Sequence, residues 1–434
     1  MIKRLLIIAS LTGLGHLTTL LSLKYIAKYI QNDTIALIGE IDSLTLLIVA
    51  IIAFGLQLSS TRDIALLENW KTELIEAQSA RVTLSIILIV VGLSGYIYSK
   101  NYVFFFAPII ALNADYALYG RGMPIMGAFV ALIRVLIPSI VLVIASVYFT
   151  NNIVFLFVTS IVFSYFITGL LVSFTLKVNY FVRPKFKSLI KYLGNIDIGI
   201  ASFSMFFIGI GIINVVSYFN NDEAIAIAYI ALKFYMIFKG VRRIIVQTFF
   251  KELMEDSVSL KVDSFAMVAG LVFFSTLLFY PNAIISLLFS EKYSSYTTTF
   301  VILGLAGFLS SFTTSSGTRL LLQKKDKAYS WNLIIAALLT VISGILFSVF
   351  MKHNPAYISI SVLIGEITLS ILNIKSLNEK NFITDRMKHL LPLGLLTTIF
   401  IGSKYLFGPQ LYSYFFALSV YAISVLIYFK LKES

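Results

Sequence analysis

The sequence lacks cysteine and has little charge. Of its 434 residues, 13% are charged and 59% are hydrophobic. Without cysteine, disulfide bonds, thiolate nucleophiles and cysteine metal sites are excluded. The mean hydropathy of +0.91 lies far outside the range of soluble domains. The composition therefore predicts a protein that resides in a membrane.

Histidine is also scarce, and the motifs of common enzymes are missing. The three histidines, His16, His353 and His389, are too widely spaced to form a helical metal-binding pair. The chain has no phosphate-binding G-x-x-x-x-G-K-[ST] sequence, no H-E-x-x-H and no nucleophile elbow. We therefore expect no catalytic residue, no metal and no cofactor, and no nucleotide hydrolysis within this chain.

What the sequence has instead is a series of long apolar runs. Helices of this length cross ~30 Å of hydrocarbon. The predicted spans are 5–23, 35–59, 82–98, 102–119, 125–149, 153–176, 197–219, 224–239, 264–289, 297–318, 330–350, 357–374, 389–407 and 411–429. The expected fold is an all-α polytopic membrane protein with about fourteen transmembrane helices.

The basic residues predict how these spans are oriented. The net charge is +13, and with the N-terminus inside most of the 34 Lys and Arg fall on the inner side. The stretches KVNYFVRPKFKSLIK (177–191), KGVRR (239–243) and RLLLQKKDK (319–327) are interpreted as short inner loops. The positive-inside rule then places both termini in the cytoplasm. The basic excess is a topology signal, compatible with anionic lipid contacts, and not the mark of a nucleic-acid partner.

Two outward-facing turns indicate an internal repeat. KYIQNDTIALIGE (28–40) and SYFNNDEAIAIAY (217–229) share a tyrosine, an asparagine and an aspartate at one common separation along the chain (29 to 218). Duplicated transporters of this kind bind substrate near the bilayer midplane. The predicted organisation is an N-terminal six-helix lobe at 1–176, a cytoplasmic basic linker at 177–196, a C-terminal six-helix lobe at 197–374 and two additional transmembrane helices at 389–430.

Several short stretches carry a family resemblance. They are FGLQLSSTRDIA (54–65) after span 2, YIALKF in span 8 with Tyr229, Ala231 and Lys233, LLFSEKYSSYTTTFVILGLAGFLSS (287–311), LLLQKKDKAY after span 10, and ISISVLIGEITLS in span 12 with Glu366. With them the chain resembles the Wzx-type polysaccharide-repeat (O-antigen) flippases, in the polysaccharide transporter branch of the MATE-containing MOP superfamily. The resemblance extends over essentially the whole chain.

The resemblance implies an activity and an architecture. A protein of this family moves an undecaprenyl-diphosphate-linked oligosaccharide repeat from the cytoplasmic to the periplasmic leaflet of the bacterial inner membrane. It serves O-antigen or other surface polysaccharide synthesis, alongside a polymerase and a chain-length regulator. The implied MATE-like fold has two six-helix lobes in a V. Two further helices, here 13 and 14, form a lipid groove in the related lipid II flippases.

The cations within the spans are the candidate substrate residues. A diphosphate and its sugars need cations and polar groups to replace lost hydration inside the membrane. Arg134 is either such a cavity cation, a structural partner of Asp115, or a snorkelling side chain. Lys233 is a second cavity candidate. His16 and Lys24, eight residues apart and nearly on one helical face, are further candidates, although His16 also fits simple packing.

The buried acids are the candidate ion-coupling residues. Protonation of Glu366, Glu40 or Asp42, or sodium binding there, could couple transport to an ion gradient. Each of these acids could instead pair with Lys or Arg. Asp115, near the inner end of span 4, is expected to be structural.

Three other functions fit parts of the sequence. A cation-coupled MATE-type exporter shares the fold, but basic residues in both lobes suit an anionic cargo better. A membrane-embedded glycan polymerase needs a long periplasmic loop, whereas every outer loop predicted here is short. A purely structural subunit of a synthesis complex is disfavoured only by the intramembrane charges.

Overall fold

The computed structural model describes residues 2–54, 60–61, 64–65, 67–99, 102–193, 196–249, 252–351, 354–379 and 381–433. Every regular element within these ranges is helical, and no strand occurs in them. The expected all-α polytopic fold is confirmed. The chain divides into two compact units, Met1–Phe207 and Ile208–Ser434, called unit 1 and unit 2 below. The predicted boundaries of the two six-helix lobes and their linker remain a prediction.

Unit 1 contains nine α-helices. They are α1 (Ile2–Tyr29), α2 (Asn32–Ala53), α3 (Trp70–Ser99), α4 (Ala107–Ile110), α5 (Asp115–Gly120), α6 (Pro124–Tyr148), α7 (Ile153–Leu176), α8 (Phe186–Leu193) and α9 (Ile196–Phe207), among the residues described. Short 3₁₀ turns precede α4 and α7. The FGLQLSSTRDIA stretch lies largely outside the described residues.

Unit 2 contains the remaining helices of the described chain. They are α10 (Ile213–Val216), α11 (Asp222–Thr248), α12 (Asp256–Phe279), α13 (Pro281–Leu288), α14 (Thr297–Ser311), α15 (Ser316–Leu322), α16 (Asp326–Phe350), α17 (Pro355–Leu377), α18 (Phe382–Leu396), α19 (Thr398–Phe407) and α20 (Leu411–Glu433). Lys352 and His353 are not among the described residues.

Eleven helices in the described ranges are long and apolar enough to cross a membrane. The count reaches twelve if the broken pair Gly199–Phe207 and Ile210–Val216 forms one span. A shorter apolar helix, Leu411–Val425, follows near the C-terminus. The chain is therefore a multi-pass membrane protein, and the count of fourteen spans remains a prediction.

Helix bounds repeat between the units at matching separations. α6 and α16 each contain 25 residues and begin at Pro124 and Asp326. α7 and α17 begin at Ile153 and Pro355, which is the same separation along the chain. Earlier in each unit, the starts of α2 and α11 have nearly the separation of the matching turns. α4 and α14 still begin at that separation, at Ala107 and Thr297, and the separation changes within them, because α4 contains 4 residues and α14 contains 15.

The matching turns end where side chains can stabilise the first turn of a helix. Asn221 precedes α11, and its side-chain oxygen accepts a hydrogen bond from the Ala224 amide at 3.0 Å. At the equivalent place in unit 1, Asp33 accepts from the Thr34 amide at 2.6 Å within the first turn of α2. The amides at a helix start have no partner within the helix, so these side chains favour helix initiation.

Several sequence expectations are wrong in their bounds. KGVRR (239–243) is not an inner loop, because α11 continues through it to Thr248. Span 3 is predicted to start at 82, but α3 begins at Trp70 and includes Arg81. In both cases charged residues end a hydropathy window although the helix continues, because polar side chains satisfied by neighbours do not interrupt its backbone hydrogen bonds. RLLLQKKDK (319–327) is non-helical only at 323–325, between α15 and α16. The basic linker contains the helix α8, and its bounds remain a prediction.

Two spans are interrupted at equivalent positions. Unit 1 has no helical residue between α4 and α5, at 111–114, and unit 2 has none between α14 and α15, at 312–315. The two breaks have nearly the separation that relates α6 to α16. The sequences there are ALNA and FTTS, whose Asn, Thr and Ser side chains compete with the backbone for hydrogen bonds. Inside a membrane the groups released by such a break must find partners within the protein.

Candidate functional site

In unit 1, Arg134 and Asp115 form an ion pair. The Arg134 Nη2 donates to Asp115 Oδ2 at 2.7 Å, and only 10% and 13% of the two side chains are exposed. Asp115 is the first residue of α5, directly after the break in span 4. A carboxylate there interacts favourably with the partial positive charge of the helix N-terminus. Whether Arg134 is only structural or also contacts cargo remains a prediction.

Further charged and aromatic groups surround this pair. The Arg134 guanidinium lies over the Tyr165 ring, 5.6 Å from its centroid. Asp42 of α2 and Arg81 of α3 both lie within electrostatic range of Tyr165. Two arginines and two aspartates thus lie near Tyr165, so the described charges around this ring are balanced.

The break in span 4 is stabilised by side chains of α3. Gln78 Nε2 donates to the Ala111 carbonyl at 3.1 Å. Arg81 Nη1 donates to the Asn113 carbonyl, and its guanidinium lies 5.1 Å from the centroid of the Tyr116 ring. Arg81 is 3% exposed, and no carboxylate of the described residues forms a salt bridge with it. The contacts of this buried charge in the described chain are therefore a neutral carbonyl and the Tyr116 ring.

Close packing brings α7 against the same break. A Cβ built on Gly169 would lie 2.7 Å from the Cβ of Leu112. Any larger residue at 169 would therefore displace the interrupted segment from α7.

In unit 2, the sequence candidate Glu366 forms an ion pair that joins α17 to α11. The Lys239 Nζ donates to Glu366 Oε1 at 2.7 Å, and Tyr235 donates its hydroxyl to the same oxygen at 2.7 Å. Lys239 also reaches the Ile208 carbonyl at 3.4 Å, where span 7 is interrupted. A Cβ on Gly365 would collide with the Thr340 hydroxyl, so this glycine allows α16 and α17 to approach closely.

Arg242 adds a second cation on the same face of α11. Its Nε donates to Thr314 Oγ1 at 3.1 Å and its Nη2 to the Ser310 carbonyl at 2.8 Å. Its Nη1 donates to the Ser310 hydroxyl. These partners are neutral, and in the described chain no carboxylate is salt-bridged to Arg242. Two cations therefore lie near the carboxylate of Glu366, which leaves an excess of positive charge here.

Among the other sequence candidates, Asp42 belongs to the charges near Tyr165. Lys233 is half-buried on α11, with its Nζ 5.8 Å from the centroid of the Tyr229 ring. His16 and Lys24 are half-buried on the continuous helix α1, and His16 Nε2 has no hydrogen-bond partner among the described residues. Glu40 and Asp42 are half-buried on α2, each with an interaction partner. Their proposed roles remain predictions.

A third set of charges holds α18 against α12 and α15. Arg386 donates to Asp263 Oδ2 through its Nε at 2.8 Å and its Nη2 at 2.5 Å. Asp263 in turn accepts from the Ser315 amide at 2.8 Å, and Arg386 Nε also donates to the Phe312 carbonyl at 3.1 Å. This buried pair therefore stabilises the break in span 10.

Sequence patterns alone do not indicate five of the buried or half-buried charges, namely Arg81, Lys239, Arg242, Asp263 and Arg386. Each lies at the end of a predicted span or just beyond it, where hydropathy alone favours an exposed position. One sequence feature could have predicted the breaks that some of these residues stabilise. Asn113 and the TTSS run at 313–316 place small polar residues inside otherwise apolar spans.

Known structures, and not known sequences, resemble this chain. No metal-holding group of three or more His, Cys, Asp or Glu occurs in the described part of the chain. No protein-family profile and no curated protein sequence matches the chain. Solved structures do match it, and its helical fold is similar to theirs.

Three of these structures define the likeness. The lipid II flippase MurJ, in an inward closed conformation, matches with a TM-score of 0.68 at 15% identity, covering 97% of this chain and 100% of that chain. A MATE-family multidrug resistance transporter, inward-facing, gives 0.63 at 14% identity, covering 89% and 98%. A MOP superfamily transporter from Pyrococcus furiosus, described as having a binding pocket of reverse polarity, gives 0.51 at 14%, covering 89% and 94%. At these identities the likeness establishes the fold alone.

Proposed function

We propose that the protein flips undecaprenyl-diphosphate-linked oligosaccharide repeat units across the bacterial inner membrane, for O-antigen or related surface polysaccharide synthesis. It works by alternating access with a cationic cavity, and both termini are cytoplasmic. A polymerase and a chain-length regulator of the same pathway act on the delivered repeat. The Wzx-type resemblance supplies this specific cargo.

The observation that carries the proposal is the positive excess on α11. Lys239 is paired with Glu366, whereas Arg242 on the same face has only neutral hydrogen-bond partners among the described residues. A transporter of cations would need acidic groups in excess, whereas cations in excess favour a phosphate-bearing cargo. The likeness to a lipid II flippase over nearly the full length of both chains is compatible with a lipid-linked cargo.

A second candidate is a cation-coupled MATE-type exporter of small molecules. The likeness to MATE transporters favours it, and Glu366, Glu40 and Asp42 would be its coupling acids. Against this candidate, Glu366 is already paired with a lysine of the chain itself. A membrane-embedded glycan polymerase has no observation in its favour.

Deletion of the gene tests the assignment directly. We expect surface glycan to be lost and lipid-linked repeat to accumulate in the membrane, with restoration by the wild-type gene. Normal glycan display in a deletion strain without a second flippase would contradict the proposal and favour the exporter.

Neighbouring arginines on α11 provide a matched pair of variants. Arg242→Gln removes a cation of the cluster, whereas Arg243→Gln removes an exposed one. We expect at least about a tenfold loss of glycan display for Arg242→Gln, equivalent to the energy of one charged hydrogen bond. Arg243→Gln should be near wild type at equal protein levels. Equal effects of the two variants would show that the α11 cluster has no specific role in transport.

A charge exchange separates the two roles of Arg134. We expect Arg134→Ala to impair export and Arg134→Lys to preserve part of it. Rescue by the combined Arg134→Asp and Asp115→Arg exchange would assign Arg134 a structural role. Failure of the exchange at normal protein levels would favour direct contact with the cargo.

A further inference from the structure

Helix α8, between spans 6 and 7, is attached along the first turns of α3. Leu189 packs with Ala77 and Ala80 of α3. Ser79 donates its hydroxyl to the Arg183 carbonyl at 2.8 Å, and the Lys185 amide donates to the Thr83 hydroxyl at 3.1 Å. These contacts fix which side of α8 is buried and which side faces outward.

Salt bridges at the end of α8 complete the attachment. Lys191 Nζ lies 3.0 Å from Glu73 Oε2 and 2.6 Å from Glu76 Oε2. Lys191 therefore lies with the attached side of the segment, and its charge is compensated.

The outward side of this segment is both apolar and basic. Its large apolar side chains are strongly exposed, at 45% for Phe181, 64% for Phe186 and 57% for Ile190. Between them lie the exposed basic residues Arg183, Lys185 and Lys187. No carboxylate in the described ranges forms a salt bridge with any of these three. Within α8, Phe186, Lys187 and Ile190 follow the spacing of one helical face, and Arg183 lies in the non-helical segment before it.

Such a surface fits a membrane better than it fits a nucleic acid or a folded protein. Exposed Phe and Ile with interleaved Lys and Arg are the features of helices that lie in the headgroup region of a bilayer. Phe181 also contacts Phe166 of the membrane-spanning helix α7, with ring centroids 6.1 Å apart. Because Phe166 is itself exposed on that span, the apolar side of the segment continues a lipid-facing surface.

We propose that residues 181–190 bind anionic phospholipid headgroups of the inner leaflet, with Phe181, Phe186 and Ile190 at the acyl boundary and Arg183, Lys185 and Lys187 on the phosphates. This lipid site holds the connection between spans 6 and 7 at the membrane surface. It does not depend on which cargo the protein transports.

Lipid retention by the full-length protein tests the site. The purified protein is mixed with phosphatidylglycerol or phosphatidylcholine in detergent, and bound lipid is counted by native mass spectrometry. The test variant carries Arg183→Gln, Lys185→Gln and Lys187→Gln. The matched control carries Lys261→Gln, Lys324→Gln and Lys327→Gln, which removes the same charge from other exposed positions. A third variant, Phe186→Ser with Ile190→Ser, removes the apolar part.

We expect the test variant to lose phosphatidylglycerol affinity by at least about tenfold, given the attraction of each basic residue to an anionic surface. The phosphatidylglycerol affinity of the control variant should change by less than about twofold. Phosphatidylcholine binding should be unaffected in both. The phosphatidylglycerol affinity of the third variant should fall several-fold.

Several results would overturn the proposal. They are an equal loss in the control, unchanged retention in the test variant, or full competition by soluble glycerol phosphate, which would indicate a free-phosphate site. If the test variant does not fold, the wild-type protein decides: phosphatidylglycerol retention must fall as salt rises from about 50 to about 500 mM, because salt screens exposed charges. Salt-independent retention would rule the site out.

Discussion

The interrupted spans 4 and 10 occupy equivalent positions in the two units, yet different chemistry stabilises them. At 111–114 the freed carbonyls accept from Gln78 and Arg81, both on the third span of the same unit. At 312–315 an aspartate accepts from the Ser315 amide, and Arg386 donates both to that aspartate and to the Phe312 carbonyl. The backbone interruption is thus common to both units, whereas the groups that satisfy it are particular to each. Unit 2 depends on α18, a helix outside the predicted repeat.

The largest expected effect comes from removing the arginine in unit 2. Arg386→Met leaves the Asp263 carboxylate, 0% exposed, without its cation. Breaking a buried pair in this way costs about 3–5 kcal/mol. Equilibrium unfolding in mixed detergent micelles measures the loss. Asp263→Asn combined with Arg386→Gln should recover a large part of it, and a single variant as stable as wild type would contradict the role of the pair.

A smaller effect is expected at the α11 cluster of unit 2. Glu366→Gln leaves Lys239 without its carboxylate but retains an acceptor for the Tyr235 hydroxyl. We expect the free energy of unfolding to fall by about 1.5–3 kcal/mol, the range for hydrogen bonds to charged groups. The same unfolding measurement, made also on Lys239→Met and on the double variant, gives the coupling energy. Additive effects would show that the two residues do not interact.

The equivalent change in unit 1 should be milder. Arg81→Met leaves only a neutral carbonyl without a donor and also removes a buried guanidinium that has no salt bridge in the described structure. We expect the free energy of unfolding to fall by about 1 kcal/mol. The loss of the hydrogen bond is partly offset, because the variant no longer has to bury a charged guanidinium. A loss as large as that of Arg386→Met would remove the proposed difference between the two breaks.

The smallest effect on stability should follow from Lys191→Gln. Lys191 attaches α8 to α3, the helix that contains Gln78 and Arg81. Lys191 is 49% exposed, and exposed pairs contribute about 0–1 kcal/mol. Hydrogen bonds to Glu76 and Glu73 raise the pKa of Lys191 above its ordinary value of 10.5. A raised lysine pKa stabilises the folded state below the unfolded value and ceases to do so as pH rises through the folded value. The variant should therefore match wild type above that pH in unfolding titrations, and a persisting difference would exclude the ion pairs as its cause.

The sequence was most informative about the membrane-spanning helices and the pair at Asp115. Continuous apolar runs between clear turns predict α6 and α7 to within about a residue, because nothing in those helices interrupts the hydropathy pattern. The distance along the chain between Asp115 and Arg134 was short enough to suggest the contact that the structure contains.

The breaks and the buried charges near the span ends could not be predicted in the same way. Hydropathy windows average over many residues, so a short interruption is invisible when its flanks are apolar. The partners of Glu366 and Asp263 lie far away in the chain, at Lys239 and Arg386. Such pairs depend on tertiary packing, which local patterns do not encode.

The shared break also bears on how the chain can evolve. Selection that preserves an interrupted span does not preserve any one side chain, since glutamine with arginine satisfies the break in unit 1 and aspartate with arginine satisfies the break in unit 2. Each break can therefore change only together with its own neighbours. In unit 2 one of those neighbours is α18, so the interrupted span depends on a helix that follows the six spans of the predicted lobe.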